Sequence, residues 1–211
     1  MTQGLLTLVQ WLSPAFPTGG FAYSHGLESA IAAGEVEGQS ALRQWLADVL
    51  EFGAGRQDAI LLVAALRDDA DHAALDDLAR ALQPGSERLR ETLDQGTAFA
   101  RTVAALTGRN LAARCLPVAV GEAAAPLGLA PEQVVGLYLH SFASNLASVA
   151  MRFMPLGQEA GQGALAALHP LISDLAQQAT GWTLDDLGTA ALGADMAALA
   201  HETMDVRIFR T

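Results

Sequence analysis

A chain of 211 residues with a formal charge of −11 lacks the cationic surface that neutralises phosphates, so DNA, RNA and anionic membranes are poor partners. Hydrophobic residues make up 51%, with Leu and Ala far outnumbering Val and Ile, which is the composition of helices packed through Leu and Ala seams. All 12 basic residues are arginines, so no Walker A lysine or Schiff base is possible, and the single cysteine, Cys115, allows neither an internal disulfide nor a zinc-binding cysteine pair.

The N-terminal run MTQGLLTLVQWLSP has no basic region before it and no cleavage site after it, and reads as a first helix of a cytoplasmic protein. Prolines and glycines from Pro14 to Gly20 break it. Leu42, Trp45, Leu46, Val49 and Leu50 follow the spacing of one buried helix face, and Leu75, Leu78, Ala79 and Leu82 repeat it. Leu89, Leu93, Gly96, Ala100 and Val103 form a further stripe, in which Gly96 permits close approach of a neighbouring helix. Val134 to Met154 is apolar on nearly every side, with Pro131 just before it. A central helix enclosed by others fits better than a membrane span, because His140, Asn145, Arg152 and three serines make a span costly. Leu165, Leu168, Ile172, Leu175 and Ala179 give another stripe that Pro170 kinks or splits. Thr183 and Asp186 resemble a capping box opening a last helix through Leu184, Leu187 and Ala191. No convincing strand and no interdomain linker interrupts the pattern. The expectation is one all-α domain over 1–211, a bundle of about eight to ten helices able to bury apolar stripes in a homodimer.

Two segments fall outside the core pattern. In SPAFPTGGFAYSHGLES, Phe21 and Tyr23 sit on a turn stiffened by Gly19 and Gly20, an arrangement open to packing and to interface anchoring alike. His25 and Glu28, three apart on a predicted helix, are too few ligands for a complete metal site, so no metal centre is assigned. In HETMDVRIFRT, Ile208 and Phe209 lie between Arg207 and Arg210 after the helical stripe has ended. The reading is a flexible tail over 206–211 that orders on a partner. No motif for a catalytic triad or HExxH site is present, and no cofactor is expected.

At these segments the chain resembles the urease accessory protein family UreF. The N-terminal LLTLVQWLSPAFPTGGFAYSHGLESAIAAGEV looks like that family's signature. SERLRETLDQGTAF, the VAVGEAAAPLGL turn, YLHSFASNLASVAMRFMPLGQEAGQ and HETMDVRIFRT follow in the family's order. The resemblance covers essentially the whole chain. It implies a non-catalytic, dimeric, all-α assembly factor that binds the accessory protein UreD, also called UreH, and recruits or modulates the GTPase UreG for nickel insertion into apo-urease. It points to Phe21, Tyr23, Ser24, Gly26, Glu28, Arg207, Phe209 and Arg210 as partner-binding positions. The chain departs from the family with His25 where Gln is frequent, Phe21 where Tyr is common, and Ile208 and Thr211 where Leu and Ser are usual. Two alternatives stand beside this reading: a metal-dependent enzyme built on His25 and Glu28, and a strict GTPase-activating protein with an arginine finger.

Overall fold

The computed structural model describes residues 2–211 as an all-α body of eleven α-helices and three short 3-10 turns. In chain order the helices are α1 (Gln3–Trp11), α2 (Leu27–Ala32), α3 (Gly38–Phe52), α4 (Ala54–Ala65), α5 (His72–Ala81), α6 (Ser86–Thr107), α7 (Leu116–Ala124), α8 (Pro131–Phe153), α9 (Gln158–Ala166), α10 (His169–Ala179) and α11 (Leu192–His201). Local chemistry sets several ends. Asp71 accepts hydrogen bonds from the Ala73 and Ala74 amides and caps α5, and Gly108, at φ 71°, stops α6 in the left-handed conformation. Pro131 and Pro170 sit in the first turns of α8 and α10, where a missing N–H costs nothing. The expected split at Pro170 is thus a clean boundary between α9 and α10.

Helix α8 is the axis of the molecule. Val134, Val135, Tyr138, Leu139, Ala143, Leu146, Ala147, Val149 and Ala150 are buried on it, and α2, α3, α4, α9 and α10 pack around it. It is long and apolar enough to cross a membrane, yet most of its apolar residues are enclosed by these neighbours, and Ser141, Ser144, Asn145 and Ser148 stand half-exposed. Phe99 of α6 is fully buried against Trp11 and Phe16, with ring centroids 6.1 and 5.7 Å away, which ties the N-terminal segment to the core. A smaller apolar cluster joins α4, α5 and α7 through Leu61, Leu75, Cys115 and Val118.

Gly96 does what its position suggested. A Cβ there would lie 2.0 Å from the Arg114 carbonyl oxygen, so α6 meets the start of α7 through bare backbone. Three expectations are corrected. VAVGEAAAPLGL is mostly helix α7, and only Ala125–Leu127 and Gly128 turn. Thr183 and Asp186 do bond, but they cap a single 3-10 turn, Leu184–Asp186. Leu187 then extends, the Ala190 and Ala191 amides donate to the Phe52 carbonyl, and the last helix starts only at Leu192. Finally, the most buried face of the first half of α6 carries Arg88, Glu91 and Gln95, while Leu89 and Leu93 are half-buried.

Candidate partner-docking surface

The segment after α11 turns back and docks on the protein's own N-terminal loop. The Arg210 amide donates to the Ala22 carbonyl (2.8 Å), and the Ser24 amide donates to the Thr211 carbonyl (3.0 Å). The Thr211 hydroxyl accepts from the His25 amide (3.1 Å) and donates to the Glu91 carboxylate (2.9 Å). One carboxylate organises the rest. Glu28, 1% exposed, accepts from the Ile208 amide at 2.7 Å and from the Phe209 amide at 2.9 Å. Hydrogen bonds to a charged acceptor contribute about 1.5–3 kcal/mol each, enough to offset much of the entropy of ordering a short strap. Residues 206–211 are therefore a docked strap, not the free tail that the loss of helical periodicity suggested.

His201, the last residue of α11, is fully buried between two acids. Its Nε2 lies 3.0 Å from Glu28 and its Nδ1 2.7 Å from Glu87, whose other oxygen accepts from Arg207 at 2.5 Å. Beside it, Glu91 is held at about 2. Burial would raise it, but the Arg88 guanidinium, His25 and the Thr211 hydroxyl together outweigh that. His25 is pushed below its usual value by burial and then by Arg88. Its Nδ1 is buried without a hydrogen bond, 3.5 Å from Glu91.

His25 and Glu28 do not form a pair. His25 precedes the helix with φ 58°, a left-handed conformation that turns its ring toward Phe142 (5.0 Å) and Glu91, whereas the Glu28 carboxylate is occupied by the strap and His201. The metal-enzyme alternative loses its two ligands to this geometry. Among the described residues no group of three or more His, Cys, Asp or Glu is placed to hold a metal.

The sequence-selected positions therefore divide. Tyr23 is buried and donates to Asp94 (2.7 Å), and Ser24 holds Thr211. Gly26, at φ 79°, lies where a Cβ would come within 2.6 Å of the Ala198 nitrogen of α11. Phe209, 6% exposed, packs on Phe153 and under the Arg152 guanidinium, centroid distances 6.3 and 4.8 Å. Ser24, Glu28 and Phe209 hold the strap, while Tyr23 and Gly26 fix the loop to α6 and α11. What faces outward is Phe21 (69% exposed), Val206 (80%) and Ile208 (72%), with Arg207 and Arg210 also exposed. Arg152 donates to the Phe21 carbonyl at 2.7 Å, so one guanidinium joins the loop to the strap. Behind Phe21 a cleft of about 520 Å³ runs between the loop and the serine face of α8, with Glu91 and Gln95 on its wall. Periodicity missed Glu87, Arg88, Glu91 and His201. The one available signal was a block of charge, SERLRE, on a helix otherwise read as apolar.

An all-α body that displays apolar side chains on a rigidly anchored loop and strap has the form of a protein-binding scaffold. The chain belongs to the UreF family, whose family model matches residues 36–169. It is 64% identical to the urease accessory protein UreF of Cereibacter sphaeroides strain ATCC 17029 over 211 residues, the whole of both chains. It is 56% identical to that of Paracoccus denitrificans over 208 residues, 98% of this chain and 95% of the relative. It is 49% identical to that of Jannaschia sp. over 210 residues, 100% and 96%. The Cereibacter relative aligns across the N-terminal loop and the strap, both outside the matched family region.

Proposed function

We propose that this protein is a non-catalytic assembly factor of urease maturation, acting in the cytoplasm. It joins UreD (UreH) and through it recruits or modulates the GTPase UreG, so that nickel reaches apo-urease. The observation that carries this is the exposed trio Phe21, Val206 and Ile208, displayed on a loop and a strap that Arg152, Glu28 and the buried Phe209 fasten to the body. Exposed apolar side chains on rigid anchors bind without a large ordering cost, and the flanking Arg207 and Arg210 suit acidic rims on a partner. Self-association uses a different face. Leu192, Met196 and Leu199 are 68, 69 and 45% exposed at helical spacing on α11, an apolar stripe that a second copy would cover.

The test is co-purification with the cognate UreD and UreG. Ile208→Glu and Phe21→Ala are expected to lose the ternary complex and urease activation while keeping helical content. Retention of the native complex by both variants rejects the surface. Met196→Glu is expected to convert a dimer to a monomer by light scattering, and an unchanged mass removes α11 from the dimer interface.

A further inference from the structure

We propose that His25 is an acid-sensitive latch on the strap: its uncharged ring leaves Glu91 free to hold Thr211, and a proton on the ring draws Glu91 away and releases the Arg210–Thr211 part of the strap. Glu91 is already heavily engaged. Its Oε2 accepts from the Thr211 hydroxyl at 2.9 Å and from the Arg88 guanidinium, and its Oε1 accepts from Gln95 at 3.3 Å. The His25 Nδ1 lies 3.5 Å from that Oε1, buried and without a hydrogen bond, while the amide of the same residue donates to the Thr211 hydroxyl at 3.1 Å. His25 thus touches the strap through its backbone and the strap's acceptor through its ring.

Protonation makes both ring nitrogens donors. Nδ1 then pairs with Oε1, and because the two oxygens of a carboxylate turn together, Oε2 moves off the Thr211 hydroxyl. The charges around the ring are mixed. Helix α6 presents Arg88 and Glu91, α11 adds the charge of Asp195, α8 offers the uncharged Phe142 ring at 5.0 Å, and Glu28 of α2 is turned to the strap amides and His201. Burial and Arg88 disfavour the imidazolium more than Glu91 and Asp195 favour it, so the ring takes a proton less readily when the strap is docked than when water reaches it. Docking is therefore complete above the ordinary 6.5 and weakens as pH falls below it, by up to about tenfold per pH unit. The Ile208 and Phe209 amides hang on Glu28, so the part beyond them is what opens. The latch concerns the protein by itself and stands or falls separately from the assembly reading.

The test is amide hydrogen exchange of the whole chain without partners, followed residue by residue by NMR at about pH 7.5 and about pH 5.5 and expressed as protection factors, which removes the intrinsic pH dependence of exchange. The Ser24 and His25 amides, which donate to Thr211, and the Arg210 amide, which donates to Ala22, are expected to lose about tenfold in protection on acidification, and the Ile208 and Phe209 amides much less. In His25→Gln, whose side chain takes up no proton, the loss is expected to stay within about twofold. The same loss in both proteins, or a native loss below about twofold, overturns the latch. Should His25→Gln not fold, the ring's own titration in the native protein decides: a midpoint below 6.5 that coincides with the loss of protection is expected, and a midpoint at or above 6.5 overturns the proposal.

Discussion

The Glu28 carboxylate and the His201 ring meet at 3.0 Å inside the protein, neither side chain more than 1% exposed, although 173 positions separate them in sequence. This contact, extended to the Ile208 and Phe209 amides, fastens α2, α11 and the strap at one point.

Truncation at that point should be severe. Glu28→Ala leaves two strap amides and the His201 ring without their acceptor, and breaking such a buried arrangement costs about 3–5 kcal/mol. Glu28→Gln, which keeps one acceptor oxygen, is expected to lose less. Urea denaturation measures both. Hydrogen exchange at the 208 and 209 amides should accelerate strongly in the alanine variant, and unchanged protection there would reject the strap.

Neighbouring strap residues should separate stability from binding. Phe209→Ala removes a buried ring and should cost about 3 kcal/mol or more. Ile208→Ala, at an exposed position, should stay within about 0.5 kcal/mol of native yet weaken capture of UreD. Similar melting temperatures for the two variants would contradict the inward and outward assignment.

Asp58 offers a pH signature. Burial pushes its carboxyl up to about 6 from an ordinary 3.8, against the lowering effect of the hydrogen bond donated by Tyr138 at 2.6 Å. The folded state then holds this proton more tightly than the unfolded state, so Asp58 burdens stability above about pH 6 and the burden lifts as pH falls toward 3.8. Because the side chain is only half-buried, water screens part of this, leaving about 1–2 kcal/mol. His25 works in the opposite sense across the same range. Its lowered proton affinity makes the protein less stable as pH falls through the ordinary 6.5. Glu91, held at about 2, contributes stability above 4.5 that is lost on further acidification. The difference between native protein and Asp58→Asn isolates the first group. The variant should be the more stable at about pH 7.5, with the gap closing by about pH 4.5. A gap independent of pH would show that Asp58 does not titrate in this way.

Cys115 should be inert. It has no exposed surface, and burial, followed by the negative charge of Asp76, pushes its thiol up to about 12. Thiolate is the reactive form, so the native protein should resist iodoacetamide at about pH 8 and react once in denaturant. Rapid labelling of the native protein would show that α7 opens readily.

What the sequence disclosed was whatever local chemistry decides. Pro131 marked a helix start, Pro170 a kink or split that became the α9–α10 boundary, the all-round apolar run to Met154 the axis, and Gly96 a helix crossing. The strap was illegible because its partners are charged and far away. Glu28, Glu87, Glu91 and His201 look like solvent-facing residues in any local window, and only the folded chain brings them to the strap amides. The same blindness misassigned the buried face of α6, where Leu89 and Leu93 drew attention away from Arg88 and Glu91. Of the positions chosen for partner binding, Phe21, Arg207 and Arg210 lie on the surface, while the other five hold it in place.

The distance along the chain between Glu28 and Ile208 also has a temporal meaning. Ribosomes add roughly 5–20 residues each second, so the carboxylate leaves the exit tunnel roughly 10–40 seconds before the amides 180 positions later that will bond to it. During that interval the Glu28 carboxylate lacks the two strap amides that donate to it in the folded protein. Closure of this part of the fold thus waits for the strap to be made, and a polypeptide released before it would keep an open acidic seam beside α2.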